Sequence, residues 1–207
     1  AVAGSGKTRV LVHPIAGLIQ VEGVSPLGIL AVTFTNKAAA EMRGRVQELL
    51  DMPVNHLWIG TFHGLAHRLL RRHATDAGLP EGFQILDAED QQRLIRRLLK
   101  NLDLDENTWV PREVQWFINH HKDEGVRAAQ LKDDGDETRR QLIRLYGLYQ
   151  ETCDKGGLVD FAELLLRAFE LWKNNPEILA QYRRRFRHIL VDEFQDTNAI
   201  QYAWTRL

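Results

Sequence analysis

Residues 29–42 read ILAVTFTNKAAAEM, and this stretch decides the fold class. It begins over residues 29–34 as an apolar run rich in β-branched side chains, which predicts a buried strand. Thr35 then precedes a segment rich in Ala, Glu, Arg and Leu, which predicts a helix over Asn36–Leu50 with Thr35 as its N-cap. A strand followed at once by a helix is the repeating unit of parallel α/β sheets.

Two further apolar runs and a long helical region extend this pattern. Residues 57–61 and residues 188–192 each predict a buried strand. Residues 63–186 show helical periodicity without strand signals, with Asp87 and Asp160 as predicted N-caps. The residues Phe161, Leu164, Leu165, Ala168, Phe169 and Trp172 recur at helical spacing and are predicted to be core. We therefore predict an α/β protein whose incomplete parallel sheet is interrupted by a large all-helical inserted domain.

The first nine residues fit a phosphate-binding loop. Residues 1–8 read AVAGSGKT, which matches G-x-x-x-x-G-K-[ST] with Ala1 in place of the first Gly. Small residues let backbone N–H groups face phosphate oxygens, Lys7 would reach the β- and γ-phosphates, and the Thr8 hydroxyl would bind Mg²⁺. The predicted nucleotide-binding residues are Ala1, Val2, Ala3, Gly4, Ser5, Gly6, Lys7, Thr8 and Arg9. The alternative is a small-residue turn that happens to precede Lys and Thr.

The run at residues 188–192 leads into two carboxylates, Asp192 and Glu193. Carboxylates at the end of a strand in an open parallel sheet can hold Mg²⁺ and orient water. Asp192 is predicted to bind the metal together with Thr8, and Glu193 is predicted to act as general base. The alternative is a strand end with two solvated acids. Joined to a phosphate loop, the pair indicates hydrolysis of a bound nucleotide rather than transfer of its phosphoryl group.

Four ordered segments resemble the motifs of one family. Lys7-Thr8, residues 32–39, residues 60–64 and residues 192–197 are similar to motifs I, Ia, Ib and II of superfamily 1 DNA helicases of the UvrD/Rep type. Residues 157–164 are similar as well, so the resemblance covers essentially the whole chain. It implies an ATP-driven, Mg²⁺-dependent motor with RecA-like domains that moves 3′ to 5′ on single-stranded DNA in DNA repair. Gln195 would sense the γ-phosphate.

The resemblance also implies a division of the chain and a set of DNA contacts. Residues 1–62 with 187–207 would form a RecA-like ATP-binding domain truncated at both ends, and residues 63–186 would form the helical insertion. The implied DNA-binding residues are Thr33, Phe34, Thr35, Asn36, Lys37, Thr61, Phe62 and His63. For Phe34, the alternative to base stacking is a core position at the strand end. The implied partners are single-stranded DNA, single-strand/duplex junctions and other DNA-repair proteins.

The chain has no initiator Met, and the motifs that follow motif II in the family are missing from it. We therefore expect a fragment that by itself neither unwinds DNA nor hydrolyses ATP at a useful rate. Two alternatives stay open. The chain could belong to the motor of a helicase-nuclease, or it could be a non-catalytic nucleic-acid-binding or protein-docking module.

Composition excludes several classes of protein. The chain has 207 residues, of which 44% are hydrophobic and 27% charged, as in ordinary globular domains. Its one cysteine, Cys153, cannot form an internal disulfide or a cysteine-based zinc site. No apolar run approaches the roughly 20 residues that span a bilayer, so we expect no membrane partner and a cytoplasmic location.

The distribution of charge bears on nucleic-acid binding. The net charge of −1 alone argues against a nucleic-acid partner, but it is the balance of +3 over residues 1–80, −6 over residues 81–180 and +2 over residues 181–207. The basic segments are those that carry the motifs. Arg68, Arg71 and Arg72 are candidates to line DNA, whereas the basic run at residues 183–187 is predicted to be a solvated helix face, with a duplex or phosphate contact as the alternative.

Overall fold

The structure is a computed structural model that describes residues 9–192 and 198–206, without the side chains of Arg9 and Val10. The predicted loop residues 1–8, and also Glu193 and Gln195, lie outside the described residues. The helices are α1 (Arg9–Gln20), α2 (Asn36–Leu50), α3 (Phe62–Arg72), α4 (Ala88–Asn101), α5 (Pro111–Asp123), α6 (Glu137–Gly156), α7 (Phe161–Asn174), α8 (Pro176–Arg185) and α9 (Ala199–Arg206). The strands are β1 (Ile29–Thr33), β2 (Trp58–Thr61), β3 (Gln84–Leu86), β4 (Leu158–Asp160) and β5 (His188–Val191).

The main sheet is parallel and has the strand order β2-β1-β5. Central β1 aligns Thr33 with Thr61 of β2 and Val32 with Val191 of β5, so all three strands end at one edge. All five residues of β1 are buried, as predicted. The strand predicted at residues 188–192 is present as β5, but its predicted burial was wrong, because β5 is half-exposed and Ile189 is 41% exposed. In the described part of the chain β5 has only β1 as a neighbour, which leaves its other side open.

Side-chain caps fix the starts of several helices, among them α2, α3, α4 and α7. Thr35, Thr61, Asp87 and Asp160 each accept a hydrogen bond, 2.8–3.1 Å long, from the amide three residues further on. These bonds satisfy N–H groups that have no partner within the helix. The predicted caps Thr35, Asp87 and Asp160 are confirmed, and Thr61 is an additional one.

The region 63–186 is not all-helical, which corrects the sequence prediction. β3 and β4 form a second parallel sheet in which Ile85 aligns with Val159. α6 ends at Gly156 and is followed by the C-cap Gly157, whose φ is 63°, and a Cβ there would lie 2.8 Å from the Pro80 side chain. Only glycine therefore fits this turn into β4. With three residues each, β3 and β4 are too short to show a strand periodicity in the sequence.

Buried side chains form three clusters. One joins β1 and β2 to α3, α7, α8 and α9, and a second lies between the sheet and α1 and α2. A third is enclosed by α4, α5 and α6. The predicted core positions on α7 are confirmed except for Phe161, which is 49% exposed. Within residues 9–192 and 198–206, no helix combines the length and the apolar composition that crossing a membrane requires.

Candidate nucleic-acid interface

A cleft of about 390 Å³ opens at the edge where the strands of the main sheet end. β1 and β2 end at this cleft, and α2, α3 and α7 begin there. The cleft is lined by Phe34, Asn36, Thr61, His63, Gly64, His67, Ile85, Phe161 and Leu164. The unpaired N–H groups and the positive dipole end of a helix N-terminus attract anions such as phosphates. Three such helix starts therefore surround one cavity.

Two aromatic rings give the cleft surfaces on which bases can stack. Phe34 is half-buried and meets Phe62 edge-on, with ring centroids 5.5 Å apart. Phe161 is 49% exposed, and the His63 ring meets it edge-on at 6.3 Å. Aromatic faces hold bases of any sequence at about 1–3 kcal/mol each. The arrangement suits a single strand whose bases are not paired.

Phe161 is a candidate contact that the sequence analysis placed in the core. Its spacing relative to Leu164 and Leu165 is that of a core residue, but it is the first residue of α7. Its position directly after the N-cap Asp160 is the signal that could have distinguished Phe161 from the core residues of α7. A residue in the first turn lies at the end of the packed stripe, where a long side chain can extend past the neighbouring helix.

The predicted polar contacts lie at the start of α2. Thr35, Asn36 and Lys37 are exposed, and Asn36 lines the cleft. The Thr35 hydroxyl oxygen accepts a hydrogen bond from the Ala38 amide, so it holds the helix start in place. Lys37 supplies a positive charge beside the helix N-terminus. These residues present donors and charge where a phosphate backbone would pass.

Burial corrects the expectation for two of the predicted contacts. Thr33 is 2% exposed and Phe62 is 1% exposed, so neither side chain can touch a bound strand. Phe62 instead packs edge-on against Phe34 and Trp204. Thr61 is 9% exposed and accepts a hydrogen bond from the Gly64 amide. These side chains support the surface, which is formed by Phe34, His63 and Phe161.

Both histidines of the cleft favour their neutral form. Burial lowers the pKa of His63. Burial lowers the pKa of His67 too, and the neighbouring Arg71 guanidinium adds to that effect. Arg71 Nε donates to His67 Nε2 at 2.9 Å, which fixes that nitrogen as an acceptor. His63 and His67 therefore offer hydrogen-bonding groups and ring surface, while positive charge comes from Lys37 and Arg71.

We expect His63 to make the fold less stable in mild acid. Because its pKa is lowered on folding, the unfolded chain binds the proton more readily, and the free energy of unfolding falls as the pH drops below about 6.5. His63→Gln cannot titrate and should show a shallower loss of stability. Urea unfolding between about pH 7.5 and 5.5 measures this slope. An unchanged slope in the variant would contradict the assignment.

Asp192 lies at the same edge of the sheet as the cleft. Its backbone N–H donates to the carbonyl of Val32 at 2.9 Å, which places it beside Thr33. Mg²⁺ binds few protein carboxylates and keeps waters and phosphate oxygens as its other ligands. The Asp192 carboxylate at this edge fits the role predicted for it. Of the other predicted nucleotide-site residues, Arg9 begins α1, whereas residues 1–8, Glu193 and Gln195 lie outside the described residues.

Comparison with known protein families identifies the family of the chain. The model of the UvrD/REP helicase N-terminal domain matches residues 1–207 of the chain. The chain belongs to the UvrD/REP helicase family. Membership confirms the resemblance that motifs I, Ia, Ib and II indicated. A mostly helical α/β structure with a short parallel sheet is consistent with an N-terminal domain of UvrD/REP helicases.

Curated UvrD/REP helicases resemble the chain over almost its entire length. DNA helicase II of Salmonella typhimurium and DNA helicase II of Escherichia coli are each 62% identical to it over 205 residues. ATP-dependent DNA helicase PcrA of Leuconostoc citreum is 40% identical over 207 residues. Each alignment covers 99% of this chain and 28% of the relative. The chain thus spans little more than a quarter of the length of these UvrD/REP helicases.

Proposed function

We propose that this chain supplies the ATP-binding part and one wall of the single-stranded DNA path of an ATP-dependent 3′ to 5′ DNA helicase that acts in DNA repair. One observation carries the proposal. In a chain of the UvrD/REP family, Phe34 and Phe161 line a cleft at which three helices begin. Relatives that bear the names DNA helicase II and ATP-dependent DNA helicase PcrA support it. Single-strand/duplex junctions are the proposed substrates.

The cleft would hold a strand by two kinds of contact. Bases would stack on the Phe34 and Phe161 rings, at which every base offers a flat face. Backbone phosphates would approach the N-termini of α2 and α3, with Asn36 and Lys37 as donors. Neither kind of contact depends on base identity, and a motor that moves along DNA needs that tolerance.

The nucleotide would bind along the same edge of the sheet. Residues 1–8 would surround the phosphates, with Lys7 on the β- and γ-phosphates, and Thr8 and Asp192 on Mg²⁺. Bound Mg²⁺ would neutralise charge on the phosphates. Glu193 would take the proton of the attacking water, and Gln195 would contact the γ-phosphate.

The position of Asp192 suggests how the two sites communicate. The backbone N–H of Asp192 is hydrogen-bonded to the Val32 carbonyl, and the chain continues from Val32 through Thr33 to Phe34 in the cleft. A shift of Asp192 on hydrolysis would therefore reach Phe34 through Val32 and Thr33 of β1. A route this short would link the state of the nucleotide to the grip on the strand.

We propose a RecA-like unit of residues 1–62 with 187–207, and an inserted unit of residues 63–186. The separate core enclosed by α4, α5 and α6 supports the inserted unit. The core of the sheet also includes α3, α7 and α8. The two units would therefore share an extensive apolar contact, so that the insertion and the sheet move together near the cleft.

Two variants test the nucleotide site. Lys7→Ala should weaken Mg²⁺-dependent binding of a fluorescent ATP analogue about tenfold, because a hydrogen bond to a charged group is lost. Glu193→Gln should bind the analogue as the wild type does. In a full-length helicase that carries this domain, Glu193→Gln should bind ATP and DNA but lose hydrolysis. Hydrolysis that continues in Glu193→Gln would overturn the role of Glu193 as base.

A further inference from the structure

Three arginines gather at the opposite edge of the main sheet. On α3, Arg68 donates to the carbonyl of Leu57 at 2.9 Å, and on α8, Arg185 donates to the carbonyl of Leu27 at 3.2 Å. Arg72 lies one turn after Arg68 on α3. We call Arg68, Arg72 and Arg185 the arginine cluster. Leu57 and Leu27 come just before β2 and β1, so the cluster lies at the edge where the strands begin, away from the cleft.

The Trp58 ring holds two arginines of the cluster in place. The guanidinium carbons of Arg68 and Arg185 lie 4.6 Å and 5.6 Å from the centre of the Trp58 ring. Tyr182 packs edge-on against Trp58 at 5.7 Å, and its hydroxyl lies 2.9 Å from His73 Nε2. Guanidinium groups that are already stacked and hydrogen-bonded lose less freedom when they bind a ligand. Arg68 and Arg185 are therefore preorganised.

The arginine cluster has no balancing carboxylate among residues 9–192 and 198–206. No Asp or Glu oxygen in these ranges lies within 4.0 Å of a guanidinium nitrogen of Arg68, Arg72 or Arg185. Asp76, which is close in sequence, pairs instead with His73 at 3.5 Å.

Burial and the repulsion between neighbouring positive charges lower the pKa values of Arg68 and Arg185 in the cluster. The pKa of Arg68 is lowered by burial and then by the charges of Arg72 and Arg185. Burial, followed by the charge of Arg72, lowers the pKa of Arg185. Cations held together in this way repel one another, and a bound anion would relieve that repulsion.

We propose that the arginine cluster binds a phosphate group. Guanidinium groups match phosphate oxygens in pairs, and a terminal phosphate offers three oxygens with a charge of up to about −2. A carboxylate offers two oxygens and a single charge, which suits three cations less well. Arg72 is exposed and Arg68 and Arg185 are half-buried, so a ligand can reach all three. A nucleic-acid backbone and a small phosphate compound both supply this group.

The test is an NMR titration of the arginine side-chain N–H signals of the 207-residue chain, in the Lys7→Ala background so that the proposed nucleotide loop contributes less. Inorganic phosphate is added at an ionic strength kept constant with sodium chloride. We expect saturable shifts of the Arg68 and Arg185 signals and an unmoved Arg184 signal. Arg72→Gln should weaken the apparent affinity about tenfold, because one charge-assisted hydrogen bond is lost.

Arg184→Gln is the matched control, because it removes the same charge from an exposed position next to Arg185. It should leave the affinity within about twofold. Oligothymidylate and oligoglutamate form the other arms of the titration. The same shifts with oligothymidylate would identify the nucleic-acid backbone as the source, whereas shifts with phosphate alone would identify a small phosphate compound. No saturable response to phosphate, or a response to oligoglutamate only, would overturn the proposal.

Discussion

Lys122→Ala should lower the free energy of unfolding by about 3–5 kcal/mol, the cost of breaking a buried ion pair. Lys122 is 0% exposed, and its Nζ lies 2.7 Å from Asp160 and 2.8 Å from Glu163, which are 2% and 1% exposed. Burial alone would lower the pKa of Lys122, but Glu163 and Asp160 raise it above its usual range. Without Lys122 two buried carboxylates lose their common cation, although Arg127 still pairs with Glu163 at 2.6 Å.

Urea unfolding of wild type and variant measures this loss. Lys155→Ala is the matched control, because Lys155 is 76% exposed in its pair with Glu151. This substitution should lower the free energy of unfolding by less than about 1 kcal/mol. Lys122 and Arg127 hold the pKa of Glu163 low despite its burial. The ionised Glu163 therefore adds to the free energy of unfolding above about pH 4.5, and this stabilisation is lost as the pH falls. A loss in Lys122→Ala no larger than that in Lys155→Ala would contradict the account.

The buried charges also fix the position of Phe161 at the cleft. Asp160, the N-cap of α7, receives hydrogen bonds from Lys122 and, at 2.7 Å, from the Tyr149 hydroxyl. Phe161 follows directly. The network therefore fixes the start of α7 and with it the position of the exposed ring. Lys122→Ala should weaken DNA binding under conditions in which the variant is still folded.

Phe34→Ala and Phe161→Ala should each weaken the binding of oligothymidylate by about 2 kcal/mol, or roughly thirtyfold in Kd. Each substitution removes a ring that lines the cleft. Phe161 is the cleaner test, because it is 49% exposed and its loss leaves little empty space in the core. Fluorescence anisotropy of a labelled oligonucleotide measures the change at a stated salt concentration, since phosphate contacts make the affinity depend on salt.

Trp116→Ala is the matched control for the loss of a ring. Trp116 is 64% exposed on α5, stacks on His120 with ring centroids 4.7 Å apart, and does not line the cleft. Its loss should leave Kd within about twofold if stacking in the cleft holds the strand. Equal losses in Trp116→Ala and Phe161→Ala would show that the cleft has no special part in binding.

The sequence predicted those parts of the fold that local pattern controls. β1 and α2 emerged from an apolar run and an N-cap, and Thr35 caps α2 as expected. Those signals depend on neighbours in the chain, so they are visible without the structure. The half-exposed β5 was not predictable, because its burial depends on which strands flank it rather than on its own apolar residues.

The exposure of residues at the cleft is another property that local sequence pattern does not predict. Phe34 and Phe62 are both apolar and close to strand ends, yet one lines the cleft and the other is 1% exposed. Lys122 looks like an ordinary surface lysine in the sequence, and its partner Asp160 lies 38 residues away. Contacts of this length depend on how helices pack, which side-chain spacing alone does not determine.

Photocrosslinking tests the central claim, that a single strand lies in the cleft, most directly. An oligothymidylate in which one thymine is replaced by iodouracil would be bound to the 207-residue chain, irradiated, and its crosslinked peptides identified by mass spectrometry. We predict crosslinks at Phe34, His63 or Phe161, which line the cleft, and their loss when unlabelled oligothymidylate competes. Crosslinks confined to α5 or α8 would contradict the account.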